Sequence, residues 1–124
     1  MHNLRKLLVY QKSITLTILL RKTTLGFPRD ELFGLASQLR RAGHSIPLNV
    51  AEGAGRRTAK DFSRFLDQAI VSGYECLACF DIGRANEFID SDAYKKLTAT
   101  VDEIIAMLVG LQKSLHRKRS PSDI

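Results

Sequence analysis

The sequence predicts an all-α protein: an antiparallel four-helix bundle with up-down-up-down topology and a kinked second helix. Three observations support this fold class. Apolar residues recur every three or four positions through most of the chain, as on the buried side of a helix. Glycine, proline and capping residues separate these runs, and the connections are short enough for antiparallel neighbours. We therefore expect one domain over residues 1–115, followed by a disordered basic tail over residues 116–124.

The first helix is predicted over residues 4–25, although its centre also alternates as a strand would. Ile14, Leu16 and Ile18 alternate with threonines. A single strand would find no pairing partner elsewhere in this sequence, so a helix is favoured. A helical row can be drawn through the segment, consisting of Leu7, Gln11, Ile14, Ile18 and Leu25.

The second helix is predicted to begin at Pro28, because a fixed φ and the negative charges of Asp30 and Glu31 suit a first helical turn. Gly53 and Gly55 are expected to end it. Its core row consists of Leu32, Leu35, Leu39, Gly43, Ile46 and Val50.

A proline in the interior of this helix predicts a bend. Pro47 cannot donate to the carbonyl of Gly43, and its ring presses on that carbonyl, at a cost of roughly 3 kcal/mol. We expect a kink at residues 43–47, where the missing side chain of Gly43 leaves room.

A capping box at Thr58–Asp61 opens the third helix. Its core row consists of Phe62, Phe65, Leu66, Ala69, Gly73, Cys76, Leu77 and Phe80. A second apolar side consists of Ile70, Tyr74, Ala78, Ile82 and Phe88-Ile89. A helix that is apolar on two sides needs two sets of neighbours, so part of the second side is expected to contact another subunit.

The fourth helix is predicted to be capped by Ser91 and to contain the most regular apolar row in the chain. The spacing of that row alternates between three and four residues, as in a left-handed bundle. Its members are Tyr94, Leu97, Val101, Ile104, Leu108, Leu111 and Leu115.

The usual catalytic and metal-binding patterns do not occur. Cys76 and Cys79 have the spacing of a redox or metal pair, but they lie in mid-helix without further ligands, so we interpret them as buried structural thiols. No Glu precedes a His by three residues, which argues against a di-iron bundle. We expect no enzymatic activity, cofactor, metal or small-molecule substrate. No apolar run is long enough to span a bilayer, and a cytoplasmic protein is expected.

Charge is distributed unevenly along the chain. The net charge is +6, but residues 1–64 contribute +8, residues 65–112 contribute −5 and residues 113–124 contribute +3. Such asymmetry suits contact with nucleic acid, and it equally suits head-to-tail pairing of subunits.

Polar side chains form one continuous row along the second helix. Three interpretations stay open: a solvated face, a subunit contact, or a surface that binds phosphate. The row consists of Gln38, Arg41, Ser45, Asn49, Glu52 and Arg56.

Several motifs along the chain resemble those of the small four-helix-bundle proteins encoded in intervening sequences of bacterial 23S rRNA genes. The resemblance is specific and covers most of the chain. It rests on Val9–Lys12, Phe27-Pro28, Phe33–Leu35, Gln38–Ala42, Ser45–Pro47, Asn49–Gly53, Gly55-Arg56, Phe62, Arg64–Leu66, Ala69, Ser72, Tyr74 and Glu75. It implies an antiparallel bundle, ring-shaped homopentamers and no established enzymatic activity.

We therefore expect a non-catalytic homo-oligomer that binds RNA or a ribonucleoprotein through basic patches. The alternative is a protein-interaction module, because the chain is also distantly similar to the basic bundles that accompany reverse transcriptases. The expected nucleic-acid contacts are Arg41, Arg56, Arg57, Lys60, Arg64, Arg117, Lys118 and Arg119.

Overall fold

The computed structural model describes residues 2–117, and within that range the protein is helical without strands. Two 3-10 turns, Leu4–Lys6 and Arg29–Glu31, accompany four long helices. The long helices are α1 (Leu8–Leu25), α2 (Leu35–Ala54), α3 (Ala59–Ala85) and α4 (Ser91–Arg117). The predicted all-α, four-helix class is confirmed.

Each helix contacts two others around one apolar core. α2 packs on α1 and α3, and α4 packs on α3 and α1. No contact within residues 2–117 joins α1 to α3 or α2 to α4, so these two pairs lie on the diagonals. Leu20 lies against Gly43, and Arg40 donates to Thr24, so residue numbers rise along α1 as they fall along α2.

Residue numbers also run in opposite directions along α2 and α3, and along α3 and α4. Gly53 lies against Phe62 at one end of α2, while Leu35 lies near Gly83 at the other. Asp67 accepts a hydrogen bond from Gln112, and Asp81 accepts one from Tyr94. One end of the bundle therefore collects the start of α1, the end of α2, the start of α3 and the end of α4.

Most of the helical row predicted along α1 lies outside the core: Gln11 is exposed like the three apolar residues that follow it, and only Leu7 packs against the core. Ile14, Ile18 and Leu25 are 41%, 54% and 65% exposed. The buried side includes two hydroxyl side chains, because Ser13 and Thr24 bond to carbonyls one turn earlier at 2.8 Å and need no water. The buried residues of α1 are Val9, Ser13, Leu16, Leu20 and Thr24.

α2 begins at Leu35 and not at Pro28 as predicted. Gly34 has φ −106° and ψ −116°, which interrupts the chain before the helix. The Glu31 carboxylate accepts the Leu35 amide at 3.1 Å, so it satisfies one of the free amides at the helix start. Leu32, expected in the core row, precedes the helix and is 48% exposed.

Only one of the two glycines expected to end α2 does so. Gly55 is the C-cap, whereas Gly53 is buried inside the helix. An added Cβ at Gly53 would lie 2.6 Å from Phe62 Cδ1, so the glycine permits close approach to α3. α2 is continuous through the buried Pro47, and the kink at residues 43–47 stays a prediction.

The caps of α3 and α4 differ in how well the sequence predicted them. Thr58 Oγ1 accepts the Asp61 amide at 3.1 Å, as the capping box predicted. α4 is capped by Asp90, whose Oδ1 accepts the Ala93 amide at 2.8 Å, and not by Ser91. Glu87 joins the two helices at φ 63°, a left-handed conformation.

The apolar row of α4 packs largely as predicted. Its fully buried members are Leu97, Val101, Ile104, Leu108 and Leu115. α4 continues through Arg117, two residues beyond the predicted end of the domain. The remainder of the predicted tail, residues 118–124, lies outside the described residues.

We expect Gly43→Ala to destabilise the fold by about 1–3 kcal/mol, because the new methyl group would overlap the buried side chain of Leu20. Gly110→Ala is the matched control: nothing lies within 4 Å of its Cβ position in α4, so it should stabilise by roughly 0.5–1 kcal/mol. Chemical denaturation of both variants measures the difference. Equal midpoints would show that the contact between α1 and α2 does not require glycine.

Candidate nucleic-acid interface

Basic side chains that are distant in sequence meet at one end of the bundle. We call this end, formed by residues 2–12, 52–67 and 110–117, the basic pole. It carries nine Lys or Arg and three Asp or Glu, whereas residues 18–35 and 75–97 at the opposite end carry six and seven. The net positive charge of the protein is therefore concentrated at one end.

Backbone and ring contacts hold the segments of the basic pole together. The His2 amide donates to the Ala54 carbonyl at 3.1 Å, which ties the start of the chain to the end of α2. The His2 ring packs edge-on against Phe62 with centroids 4.8 Å apart. At the end of α4, His116 shares a surface groove with Lys60 and Arg64 of α3.

One aromatic ring positions two cations of the basic pole. The guanidinium carbons of Arg56 and Arg64 lie 4.7 and 4.8 Å from the centroid of Phe65. Their ion pairs with Glu52 and Asp61 are 3.9 Å long and lie at the surface, where such pairs contribute little. The ring therefore fixes both groups against α3 while their charge stays available to solvent.

Other cations of the basic pole differ in whether they have an acidic partner. Lys12 pairs with Glu103 of α4. Arg57 and Lys60 are exposed, and no carboxylate of residues 2–117 lies within ion-pair distance of either. Arg117 is exposed at the end of α4 and likewise has no such partner in that range. Unpaired surface cations are the groups that phosphates bind most readily.

The structure adds four cations that the predicted site omitted, namely Lys12, Lys113, Arg5 and Lys6. Arg5 and Lys6 lie in the 3-10 turn before α1, at the same pole as Arg56 and Arg57. Their position depends on the antiparallel contact between the start of the chain and the end of α2. The basic character of the N-terminal half of the chain was a signal for them, but it did not show which side chains would be neighbours.

Arg41 is not part of the basic pole. It lies 13 residues before Ala54, the last residue of α2, which corresponds to about 20 Å along the helix axis. Arg41 lines a groove of about 520 Å³ near the start of α2, together with Gln38, Phe33 and Glu75. The other predicted contacts, Lys118 and Arg119, lie outside the described residues.

The polar row of α2 does not form one continuous open site. In its middle, Ser45 and Asn49 are half-buried, and Asn49 Nδ2 donates to the carbonyl and Oγ of Ser45 at 2.8 and 2.9 Å. Ser72 of α3 donates to Ser45 Oγ at 2.8 Å. This part of the row therefore joins α2 to α3, while Gln38 and Glu52 lie before and after it along the helix.

The two cysteines are free and buried in α3. Burial is the largest cause that raises the pKa of Cys76 to about 12 and that of Cys79 to about 11, and the negative charge of Glu75 adds to it. Both thiols are protonated at neutral pH, so neither is a strong nucleophile. No group of three or more potential metal-ligating side chains occurs within residues 2–117.

Comparison with known proteins identifies relatives by sequence and by fold. The family model described as 23S rRNA-intervening sequence protein matches residues 5–110. A crystal structure of a protein of unknown function from the S23 ribosomal protein family of Bacteroides thetaiotaomicron superposes with a TM-score of 0.80 at 21% identity. The superposition covers 86% of this chain and 99% of that one. No curated protein matches the chain.

No helix in residues 2–117 combines the length and the apolar character needed to cross a bilayer.

The buried cysteines should react slowly with thiol reagents. At pH 8 we expect Ellman's reagent to label the native protein at least about 100-fold more slowly than the denatured chain, because burial limits both access and thiolate formation. Equal rates would contradict the buried placement.

The same thiols predict how stability depends on pH. Their folded pKa values lie above the ordinary 9.0, so their contribution to stability is complete below pH 9 and is lost as pH rises toward 11 to 12. The double variant Cys76→Ala, Cys79→Ala should lose this part of the alkaline decline, as measured by denaturation at a series of pH values.

Proposed function

This chain belongs to the family of 23S rRNA-intervening sequence proteins, and from that premise we propose that it is a non-catalytic, cytoplasmic homo-oligomer that binds RNA or a ribonucleoprotein through its basic pole. The observation that carries the proposal is the collection of nine basic and only three acidic side chains at that end. Phosphates are the common feature of such partners, and Lys and Arg neutralise them without reading sequence.

The contacts at the basic pole favour charge over base recognition. Phe62 is 1% exposed, and Phe65 is already covered by the two guanidinium groups. These rings therefore offer little surface on which bases can stack. Stacking of bases on aromatic side chains is the main source of affinity, besides charge, in proteins that bind single strands. We expect binding that is sensitive to salt and tolerant of sequence.

Exposed apolar surface on α3 supports the homo-oligomer. Tyr74 and Ile82 are 60% and 49% exposed, and Ile70 is half-buried. These residues belong to the second apolar side of α3, and a neighbouring subunit would remove it from water. The pentameric ring implied by the family resemblance would repeat the basic pole around one axis, so that modest contacts per subunit add up on a shared polyanion.

The proposal includes the absence of a catalytic role. The protonation of the two thiols and the hydrogen bonds of two serine hydroxyls support this part of it. Both thiols are protonated at neutral pH, and Ser45 and Ser72 are hydrogen-bonded to each other and to Asn49 or the backbone. An activated serine nucleophile is hydrogen-bonded to a general base. Within the part of the chain that the structure describes, neither serine hydroxyl has such a partner.

A protein-interaction module is the second candidate, and one observation favours it. Phe33 is 93% exposed beside the groove that contains Gln38 and Arg41. Aromatic side chains, phenylalanine among them, are enriched at protein contact sites relative to the rest of the surface. This surface lies at the end of the bundle opposite to the basic pole, so variants distinguish the two candidates.

RNA binding should depend steeply on salt and on the basic pole. If the assembly neutralises about six phosphates, affinity for structured rRNA fragments should fall at least tenfold between roughly 50 and 200 mM salt. Arg56→Glu with Arg57→Glu should weaken binding strongly without lowering the melting temperature by much. Filter binding measures both effects.

The matched control for that variant changes the same charge at the opposite end of the bundle. Lys95→Glu with Lys96→Glu replaces two cations of α4 and should leave affinity nearly unchanged. Equal losses in the two double variants would show a non-specific charge effect. No association at low salt, or an affinity unaffected by the Arg56 and Arg57 changes, would favour the protein-interaction module, for which Phe33→Ser is the corresponding test.

Light scattering at micromolar concentration should return a multiple of the 13.9 kDa chain mass, because the apolar side of α3 is otherwise exposed. The same measurement should be made without RNA, so that assembly and RNA binding are separated. The mass of a single chain would rule out the homo-oligomer.

A further inference from the structure

We propose that the subunits join head to tail, with the outer side of α1 in one copy docked on the outer side of α3 in the next. The proposal rests on the homo-oligomer of the proposed function and specifies its contact. It also names α1, which the sequence had not identified as a contact surface.

Both helices carry an exposed apolar stripe of the same length. The α1 stripe contains Ile14, Ile18 and Leu25, which are 41%, 54% and 65% exposed. The α3 stripe contains Val71, Tyr74 and Ile82, which are 64%, 60% and 49% exposed. In each stripe the last member follows the first by 11 positions, or roughly 16 Å of helix.

The position of the two stripes in the bundle determines the type of assembly. α1 and α3 are diagonal and do not contact each other within residues 2–117, so their outer sides face away from one another. The two stripes of one copy therefore cannot cover each other. Pairing of different surfaces on successive copies covers both stripes and builds a ring when the rotation closes. A symmetric dimer through either stripe would leave the other exposed.

The charges on the two helices are complementary. α1 contains no acidic residue, and its exposed cations are Arg21 and Lys22, whereas Lys12 is paired with Glu103 of the same copy. The part of α3 from Asp67 to Gly83 contains three acidic residues and no basic one. Contact between α1 and α3 brings opposite charges together, whereas contact between two copies of α1 or two copies of α3 brings like charges together.

The direction of the helices predicts the register. α1 and α3 point the same way along the bundle, so they pack parallel in a ring whose axis follows the helices. Because the two stripes have equal length, the register that places Ile14 opposite Val71 also places Leu25 opposite Ile82.

The same register positions the charged groups at the edges of the stripes. Arg21 and Lys22 of one copy fall between Glu75 and Asp81 of the next. Parallel packing also places every basic pole on the same face of the ring.

Two variants, each with one of the two stripes disrupted, test the contact between α1 and α3 of successive copies. Ile18→Glu disables the α1 stripe and Tyr74→Glu disables the α3 stripe, because each introduces a carboxylate into an apolar contact. Each variant alone should scatter as a monomer of 13.9 kDa. An equimolar mixture should form a dimer of twice that mass, since one intact α1 stripe and one intact α3 stripe remain and the two altered surfaces carry the same charge.

Leu48→Glu is the control, because Leu48 is an apolar residue of α2 that is 63% exposed and lies in neither stripe. This variant should keep the wild-type mass. An Ile18→Glu or Tyr74→Glu protein with the wild-type mass, or a mixture that stays monomeric, would overturn the inference. A monomeric wild type would instead overturn the homo-oligomer itself.

Disulfide cross-linking tests the register with variants that keep the contact. Ile14→Cys and Val71→Cys, in chains that carry tags of different size, should give a mixed disulfide dimer on mild oxidation. The native cysteines are buried and do not compete. Leu25→Cys mixed with Val71→Cys is the control: Leu25 lies in the same stripe but opposite Ile82, 11 positions from Val71, so this mixture should give little product. Equal yields from the two mixtures would overturn the proposed register.

Discussion

Close approach of the helices at small residues is the constraint on which the rest of the structure depends. A Cβ at Gly43 would overlap Leu20 of α1, and one at Gly53 or Gly73 would lie within 3 Å of Phe62 or Ile105. Each of these glycines costs about 1 kcal/mol of helix propensity relative to alanine. They bring α2 close to both neighbours and α3 close to α4, and this packing determines which side chains meet at the ends of the bundle.

The basic pole is a consequence of that topology and is not an electrostatic optimum. Arg56, Arg57 and Arg117 lie at helix C-termini, where positive charge is favourable, but Lys60 and Arg64 lie in the first turns of α3, where it is not. Asp61 offsets Arg64 locally. The basic pole therefore includes cations at a helix end where the helix dipole does not favour them, and Lys60 has no acidic partner within residues 2–117.

The basic pole and the apolar stripes serve different parts of one proposed assembly. The stripes of α1 and α3 run along the sides of the bundle, and the basic groups lie at its end, so subunit contact leaves the pole uncovered. Parallel packing of subunits would present the poles together. Weak phosphate contacts in each copy would then act on one RNA, and assembly would precede tight binding.

The sequence alone determined the helical class, the capping box at Thr58 and most of the buried rows of α3 and α4, because these depend on local spacing and on long, strongly periodic segments. It failed on α1, where hydroxyl side chains bonded to their own helix backbone are buried and isoleucines are not. It also placed the start of α2 too early, at Pro28, since Glu31 caps the helix from a preceding turn. Only the tertiary structure decided that Arg5 and Lys6 lie near Arg56 and that Arg41 lies far from them. Periodicity assigns a residue to a side of its own helix, but it carries no information about which helix ends become neighbours.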